Sequence, residues 1–250
     1  MIRHIDFDSF IAAMREAKDL TDLEGILVEW TRIIGFERFA MGHHVDLARP
    51  PDGAVRLTNY HPDWIAQSVE RSAFVIDPIH QVSARAHRAF QWSEVHDFIR
   101  VTDEQQLILD RAKAYDLVVG FTVPVNLPGE YQGSCSFGAT NFDRLHPYAF
   151  PFCEYITRFG FEAARRLLRQ SDGRAAEPVP HFTPKQREAL ILVGRGKTDA
   201  EIGDVLGISR TTAHDHVEAA RRAYGNAQRP LMVLRAAFDG VITFAEIFRS

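Results

Sequence analysis

Residues 183–217 read TPKQREALILVGRGKTDAEIGDVLGISRTTAHDHV. Thr183-Pro184-Lys185-Gln186 is a helix start: the threonine caps, the proline takes the first helical position, and the glutamine closes a capping box. Asp199–Leu206 predicts a second, short helix stopped by Gly207, a residue suited to a left-handed C-cap. Ile208 is the apolar plug of the turn. Ser209 caps a third helix that runs to about Tyr224, ahead of Gly225. From Phe182 onward the pattern is all helical. Two helices joined by a tight glycine turn, the second amphipathic and basic at its far end through Arg221 and Arg222, form a unit that reads DNA. The same spacing also serves a small three- or four-helix bundle that makes only protein contacts.

Upstream of this region, Ser171–Pro180 reads SDGRAAEPVP, polar and small with two prolines, which is a linker composition. Residues 1–177 carry 19 Lys+Arg and 25 Asp+Glu, a net of -6, whereas residues 178–250 carry 10 and 8, a net of +2. The overall charge of -4 therefore hides an acidic larger part joined to a mildly basic smaller one, as suits a sensor tethered to a module that meets an anion. The larger part mixes periods. Residues 7–34 have helical apolar spacing through Phe10, Met14, Leu23, Ile26, Leu27, Trp30 and Ile34. Arg38–Val45 and Val55–Asn59 read as strands around a loop with Pro50, Pro51 and Gly53. Pro62–Ser72 and Asp103–Tyr115 predict helices, Val118–Val125 and Ser134–Thr140 strands about a turn at Pro128 and Gly129, and Tyr148–Arg169 a long helix. Helices before and after strands with short connections predict an α-β-α sandwich built on an antiparallel sheet.

Composition narrows the function. With 250 residues, 46% hydrophobic and 25% charged, the chain is an ordinary globular one of one or two domains. No apolar run approaches the ~20 residues that cross a bilayer, and MIRHIDFDSF lacks the basic start and apolar core of a signal peptide, so a cytoplasmic location without membrane contact is expected. Cys135 and Cys153 stand without any Cys/His cluster of metal-ligand spacing, so no disulfide framework, metal or cofactor is expected.

The string 183–217 resembles the DNA-binding domain of LuxR-type regulators. Gly196-Lys197-Thr198, Glu201-Ile202, Gly207-Ile208-Ser209, Thr212 and His216 fall on the signature positions. Gln186 and Ala213 replace the usual Glu and Val and keep their physical role, whereas Asp215 and Glu218 are unusual on a helix meant for a polyanion. In that frame Lys197 and Thr198, at the start of the second helix, face phosphate. Arg210, Thr211, His214 and Asp215, near the start of the recognition helix, reach base edges. Arg221 and Arg222 fall nearer phosphate or solvent, and His216, with no second ligand spaced for it, is a packed or phosphate-facing residue.

A second stretch, Thr58–Trp92, reads TNYHPDWIAQSVERSAFVIDPIHQVSARAHRAFQW. Tyr60, Trp64 and Ser68 are spaced by four, so on a helix start they face one way. Asp77 precedes Pro78 and is held extended. By themselves these residues describe an aromatic core with a capping aspartate. The spacing Trp64-x12-Asp77-Pro78-x13-Trp92 resembles the ligand-binding domain of the same LuxR-type quorum-sensing receptors, and Gly120 matches another recurring position. The resemblance implies an N-acyl-homoserine lactone as ligand: Trp64 donating to the lactone carbonyl, Asp77 accepting the amide N–H, Tyr60 donating to the amide carbonyl with Ser134 or Ser136 adding a hydroxyl, Trp92 walling the ring, and small Ala40 leaving room for the tail. Where the family commonly has Tyr, this chain has Ser68, which leaves the acyl group open and admits a branched or aromatic one.

The expectation is thus an α+β chain with an autoinducer-binding domain over 1–170, a linker over 171–180 and an all-α helix-turn-helix domain over 181–250. It would act as a transcription factor that binds its operator, double-stranded DNA, as a homodimer, since one short helix reads too few base pairs. Two alternatives stand: a family member that senses another small molecule or none, and a lactone-processing enzyme with an appended DNA-binding module. Against the enzyme, the sequence holds no G-x-S-x-G and no paired metal-ligand motif.

Overall fold

The computed structural model describes residues 6–46, 48–70, 75–127, 130–171 and 179–248. The chain divides into two compact units, the second containing the described residues from Val179 onward. Residues 172–178, most of the expected linker, and Pro128 and Gly129 of the expected turn lie outside the described residues. Ser171 belongs to the preceding helix.

The first unit is a mixed helix and antiparallel-sheet structure. Its strands are β1 (Arg38–His43), β2 (Arg56–Thr58), β3 (Phe90–Gln91), β4 (Val119–Val125) and β5 (Gly133–Ala139), ordered β2-β1-β5-β4-β3 with antiparallel neighbours throughout. Strand alternation assigns the faces. Phe39, Met41, Cys135 and Phe137 are buried in one core with α1 (Phe7–Glu16), α2 (Leu20–Ile33) and α7 (Ala149–Ser171). Phe10 meets Trp30 and Phe152 there, ring centroids 5.2 and 5.1 Å apart. The helical spacing over 7–34 is broken into two helices because Asp19 starts a new cap, accepting the N–H of Asp22, after Ala17 turns extended.

Over the opposite face lie α3 (Pro62–Glu70), α4 (Pro78–Ser83), α5 (Val95–Phe98) and α6 (Asp103–Ala112), around a small second core of Ile79, Val82, Ala86, Phe90 and Val95. Helix α6 is shorter than Asp103–Tyr115, because Lys113–Tyr115 tightens into a 3-10 turn before Asp116 at φ 64°. Both faces of β5 are covered, so its residues are all buried although Ser134, Ser136 and the glycines are not core formers.

The second unit is helical: α8 (Pro184–Gly194), α9 (Asp199–Leu206), α10 (Arg210–Ala223), α11 (Arg229–Phe238) and α12 (Phe244–Phe248). Thr183 with Gln186 and Thr198 with Glu201 each form the reciprocal capping box. Gly207 sits at φ +66° and donates its N–H to Gly203 O, turning the chain into Ser209, whose hydroxyl accepts from Thr212. Leu190, Ile202, Ala213, Val217, Ala220 and Met232 close the core.

Candidate functional site: a cavity between the sheet and the outer helices

A cavity of about 750 Å³ lies between the sheet and the outer helix layer of the first unit. Tyr60, Trp64, Ser68, Asp77, Trp92, Gly120, Ser134, Ser136 and Ala40 all line it, so residues scattered over some hundred positions meet in one space. Sheet register explains part of this. Ala40 pairs with Ser136, which pairs with Thr122, so three adjacent strands present small or hydroxyl side chains to the same patch.

Their hydrogen-bonding states separate them. Trp92 Nε1 donates to Thr122 Oγ1 at 2.9 Å, and Thr122 Oγ1 lies 2.9 Å from Ser136 Oγ. The Trp92 indole is therefore fixed as a wall and offers no donor of its own. Gly120 is the floor beneath it: a Cβ there would come within 2.2 Å of Trp92 Cε2. Asp77 caps α4 through Oδ1, which accepts the N–H of Ile79 at 2.8 Å, and no donor meets its other oxygen among the described residues. Trp64 stacks obliquely on Tyr115 at 5.6 Å, and its indole N–H has no partner among the described residues. Tyr60 is enclosed by protein but faces the cavity. Burial, with Cys135 and Asp77 near, pushes its phenol well above the ordinary value and keeps it a neutral donor. Two donors and one acceptor thus converge unpaired on the cavity, beside a fixed aromatic wall.

Ser68 and Ser134 are placed differently. The Ser68 hydroxyl donates back to Trp64 O at 2.9 Å, so this residue meets the cavity by its small size. Ser134 Oγ lies 2.9 Å from His44 Nε2, and His44 stacks on His80 with ring centroids 4.1 Å apart. Thr122, His44 and His80 escaped the sequence reading. The period-2 alternation of β4 carries a signal for Thr122, two residues from Gly120 on the same face. His44 lies just past the end of β1 and His80 on the unanticipated helix α4, so no periodicity marks them.

In the second unit Arg210, Thr211, His214 and Asp215 are exposed on the first turns of α10. His214 is tied down, its Nδ1 2.9 Å from Asp199 Oδ2, while Asp199 Oδ1 accepts from Arg229. Burial works to raise the Asp199 carboxyl, and the bonds from His214 and Arg229 outweigh it and hold it below the usual value. Thr198 is occupied in its capping box, and Lys197 Nζ lies 3.1 Å from Glu201 Oε1. Arg221 is bound to Ala227 O and Glu218 inside the unit, which leaves Arg222 as the exposed cation of that pair. His216 is half-buried. Among the described residues, no helix is long and apolar enough to cross a membrane.

A sheet with helices on both faces, enclosing a largely apolar cavity with a few convergent polar groups, defines a small-molecule-binding domain, here joined to an all-helical unit. The chain belongs to the autoinducer binding domain family, matched over residues 19–150, and so to the LuxR-type quorum-sensing regulators that its motifs resemble. It is 29% identical over 183 residues to the transcriptional activator protein BjaR1 of Bradyrhizobium diazoefficiens, covering 72% of each chain. It is 25% identical over 245 residues to the transcriptional activator protein AhyR of Aeromonas hydrophila, covering 94% of this chain and 92% of that one. The solved structure of SdiA in complex with octanoyl-rac-glycerol has the same fold, with a TM-score of 0.58 at 19% identity, covering 96% of this chain and 98% of that one.

Proposed function

We propose that the chain is a quorum-sensing transcription factor that binds an N-acyl-homoserine lactone in the cavity of its first unit. It regulates transcription by binding double-stranded operator DNA as a homodimer through the helix-turn-helix formed by α9, Gly207 and α10. The domain division is 1–170 for the autoinducer, 171–180 for the linker and 181–250 for DNA, and the working location is the cytoplasm. It acts as a regulator and not as an enzyme, in keeping with the names its relatives carry.

The observation that carries this reading is the convergence of the Trp64 indole N–H, the Tyr60 hydroxyl and the second oxygen of Asp77 on one apolar cavity. An acyl-homoserine lactone offers a lactone carbonyl, an amide carbonyl and an amide N–H, so each unpaired protein group gains its complement. Trp92 walls the lactone ring. Ser136 supports the amide carbonyl: Thr122 can donate to it and leave its own proton for the ligand. Arg210, Thr211, His214 and Asp215 form the base-facing set, with His214 braced by Asp199, and Lys197 and Thr198 lie on the phosphate side.

Expression of the full chain with and without a mixture of acyl-homoserine lactones, followed by mass spectrometry of the co-purified small molecule, tests the reading. Recovery of one lactone at about one per chain supports it. Recovery of a monoacylglycerol alone, the class of ligand named in the SdiA complex, would favour a family member that senses a different molecule.

A further inference from the structure

Running along the cavity-facing positions of the sheet, Trp92 lies over Gly120, which pairs with Gly138. Two residues on, Thr122 pairs with Ser136 and Ser136 with Ala40. Two further on, Ser134 pairs with Gly42, and His44 follows. The lactone wall, the amide partners and the Ser134–His44 pair thus fall in that order. From Ala40 to Gly42 the surface is small and apolar. It then becomes polar at Ser134 and His44, joined at 2.9 Å, with the His80 ring stacked on His44 and tilted from it by only 18°.

We propose that this end of the cavity recognises a hydroxyl on the acyl group of the signal, placed about 7 Å beyond the amide, the span of two strand residues. The proposal rests on the lactone reading for the position of the amide. Burial, then the neighbouring His80 and His43, push the His44 imidazole well below its ordinary value, so it stays neutral with one donor and one acceptor nitrogen. With Nε2 on Ser134, its Nδ1 has no partner among the described residues. A hydroxyl donates and accepts, so it can pair with the open Nδ1 of His44 in either tautomer, or on the other side of the ring with the spare capacity of Ser134. An alkyl end would strip water from the open Nδ1 of His44 and give it no partner in exchange. His80 acts here as a positioning residue that fixes the plane of the His44 ring.

The test compares matched pairs on the full chain by calorimetric titration: N-hexanoyl- with N-(ω-hydroxyhexanoyl)-homoserine lactone, and N-phenylacetyl- with N-(para-hydroxyphenylacetyl)-homoserine lactone. The hydroxylated member of at least one pair should bind about tenfold or more tightly. In the double variant His44→Leu, Ser134→Ala the order should reverse, the plain ligand binding at least as well as it does to the parent chain, which also shows that the variant is folded. His44→Gln, which keeps a donor and an acceptor, should retain the preference. The proposal is overturned if the parent chain binds the plain member of both pairs equally or better, or if the double variant weakens both members of a pair alike. If no lactone binds, the same comparison with hexanoyl- and ω-hydroxyhexanoyl-glycerol separates the two readings. A hydroxyl preference there keeps the tail assignment and fails the lactone; no binding of any pair fails both.

Discussion

Asp77 does two jobs with two oxygens: one caps α4 through the Ile79 N–H, and the other faces the cavity. In Asp77→Asn the remaining oxygen keeps the cap, since asparagine caps as well as aspartate. The new amide then presents donors to the ligand's own N–H. A hydrogen bond to a charged group contributes roughly 1.5–3 kcal/mol, so the half-maximal lactone concentration in a reporter assay should rise at least tenfold at equal protein level. An unchanged value would remove Asp77 from the recognition set. Ser68 acts by what it leaves empty. Because its hydroxyl turns back to Trp64 O and the residue lines the cavity, the place of a larger side chain is open to the ligand. Ser68→Tyr should therefore shift preference toward straight-chain lactones and penalise branched or aromatic ones in a dose–response panel. Equal changes for all ligands would show that Ser68 is packing only.

At the scale of elements, the proposed DNA binding divides its tasks between α9 and α10. Arg210→Ala, at the exposed start of α10, should reduce discrimination between operator and mutated operator. Lys197→Ala should weaken both alike and lower the salt slope by about one, because a phosphate contact acts through counterion release. The ion pair of Lys197 with Glu201 sets a condition: a slope that does not move means Lys197 serves α9 and not phosphate. Glu201 itself accepts the backbone and side-chain bonds of Thr198 and the bond of Lys197, which together hold its carboxyl down at about 2. A carboxyl lowered on folding stabilises above its unfolded value and loses that contribution as pH falls through its folded value. Glu201→Gln should thus melt below the parent chain at pH 7, with the difference closing between pH of about 4.5 and about 2. A constant gap across that range would show that shape and not charge makes the cap.

For the whole molecule, legibility followed the range of the forces. The helix α9 could be placed from Asp199 to Leu206 because its stop at Gly207 is a local signal, and the structure adds a Thr198–Glu201 capping box that acts within the same few residues. Four of the five strands, β1, β2, β4 and β5, were found within one or two residues, their ends set by pairing with partners far along the chain. Helices α4 and α5 and strand β3 were not anticipated: they are six, four and two residues long and owe their form to the small core around Val82 and Phe90. Of the candidate site, Tyr60, Trp64, Asp77 and Trp92 could be singled out because their spacing resembles that of the family, and the cavity brings them together. What no spacing reveals is which hydrogen-bonding groups remain open. That Trp92 is closed by Thr122, and that Ser134 is joined to His44, follows only from strand register and the packing of α4 against the sheet.

The central claim is that the cavity accepts a neutral lactone through Trp64, Tyr60 and Asp77. It is tested most directly by titrating the purified full chain with one N-acyl-homoserine lactone and with its ring-opened acid, which carries the same acyl group and amide. The acid brings a carboxylate close to Asp77 in an enclosed space, where like charges repel and desolvation is uncompensated. The account predicts saturable binding of the lactone at one per chain and affinity for the acid weaker by about a hundredfold or more, near 2.7 kcal/mol. Equal affinity for the two, or binding of neither, would contradict it.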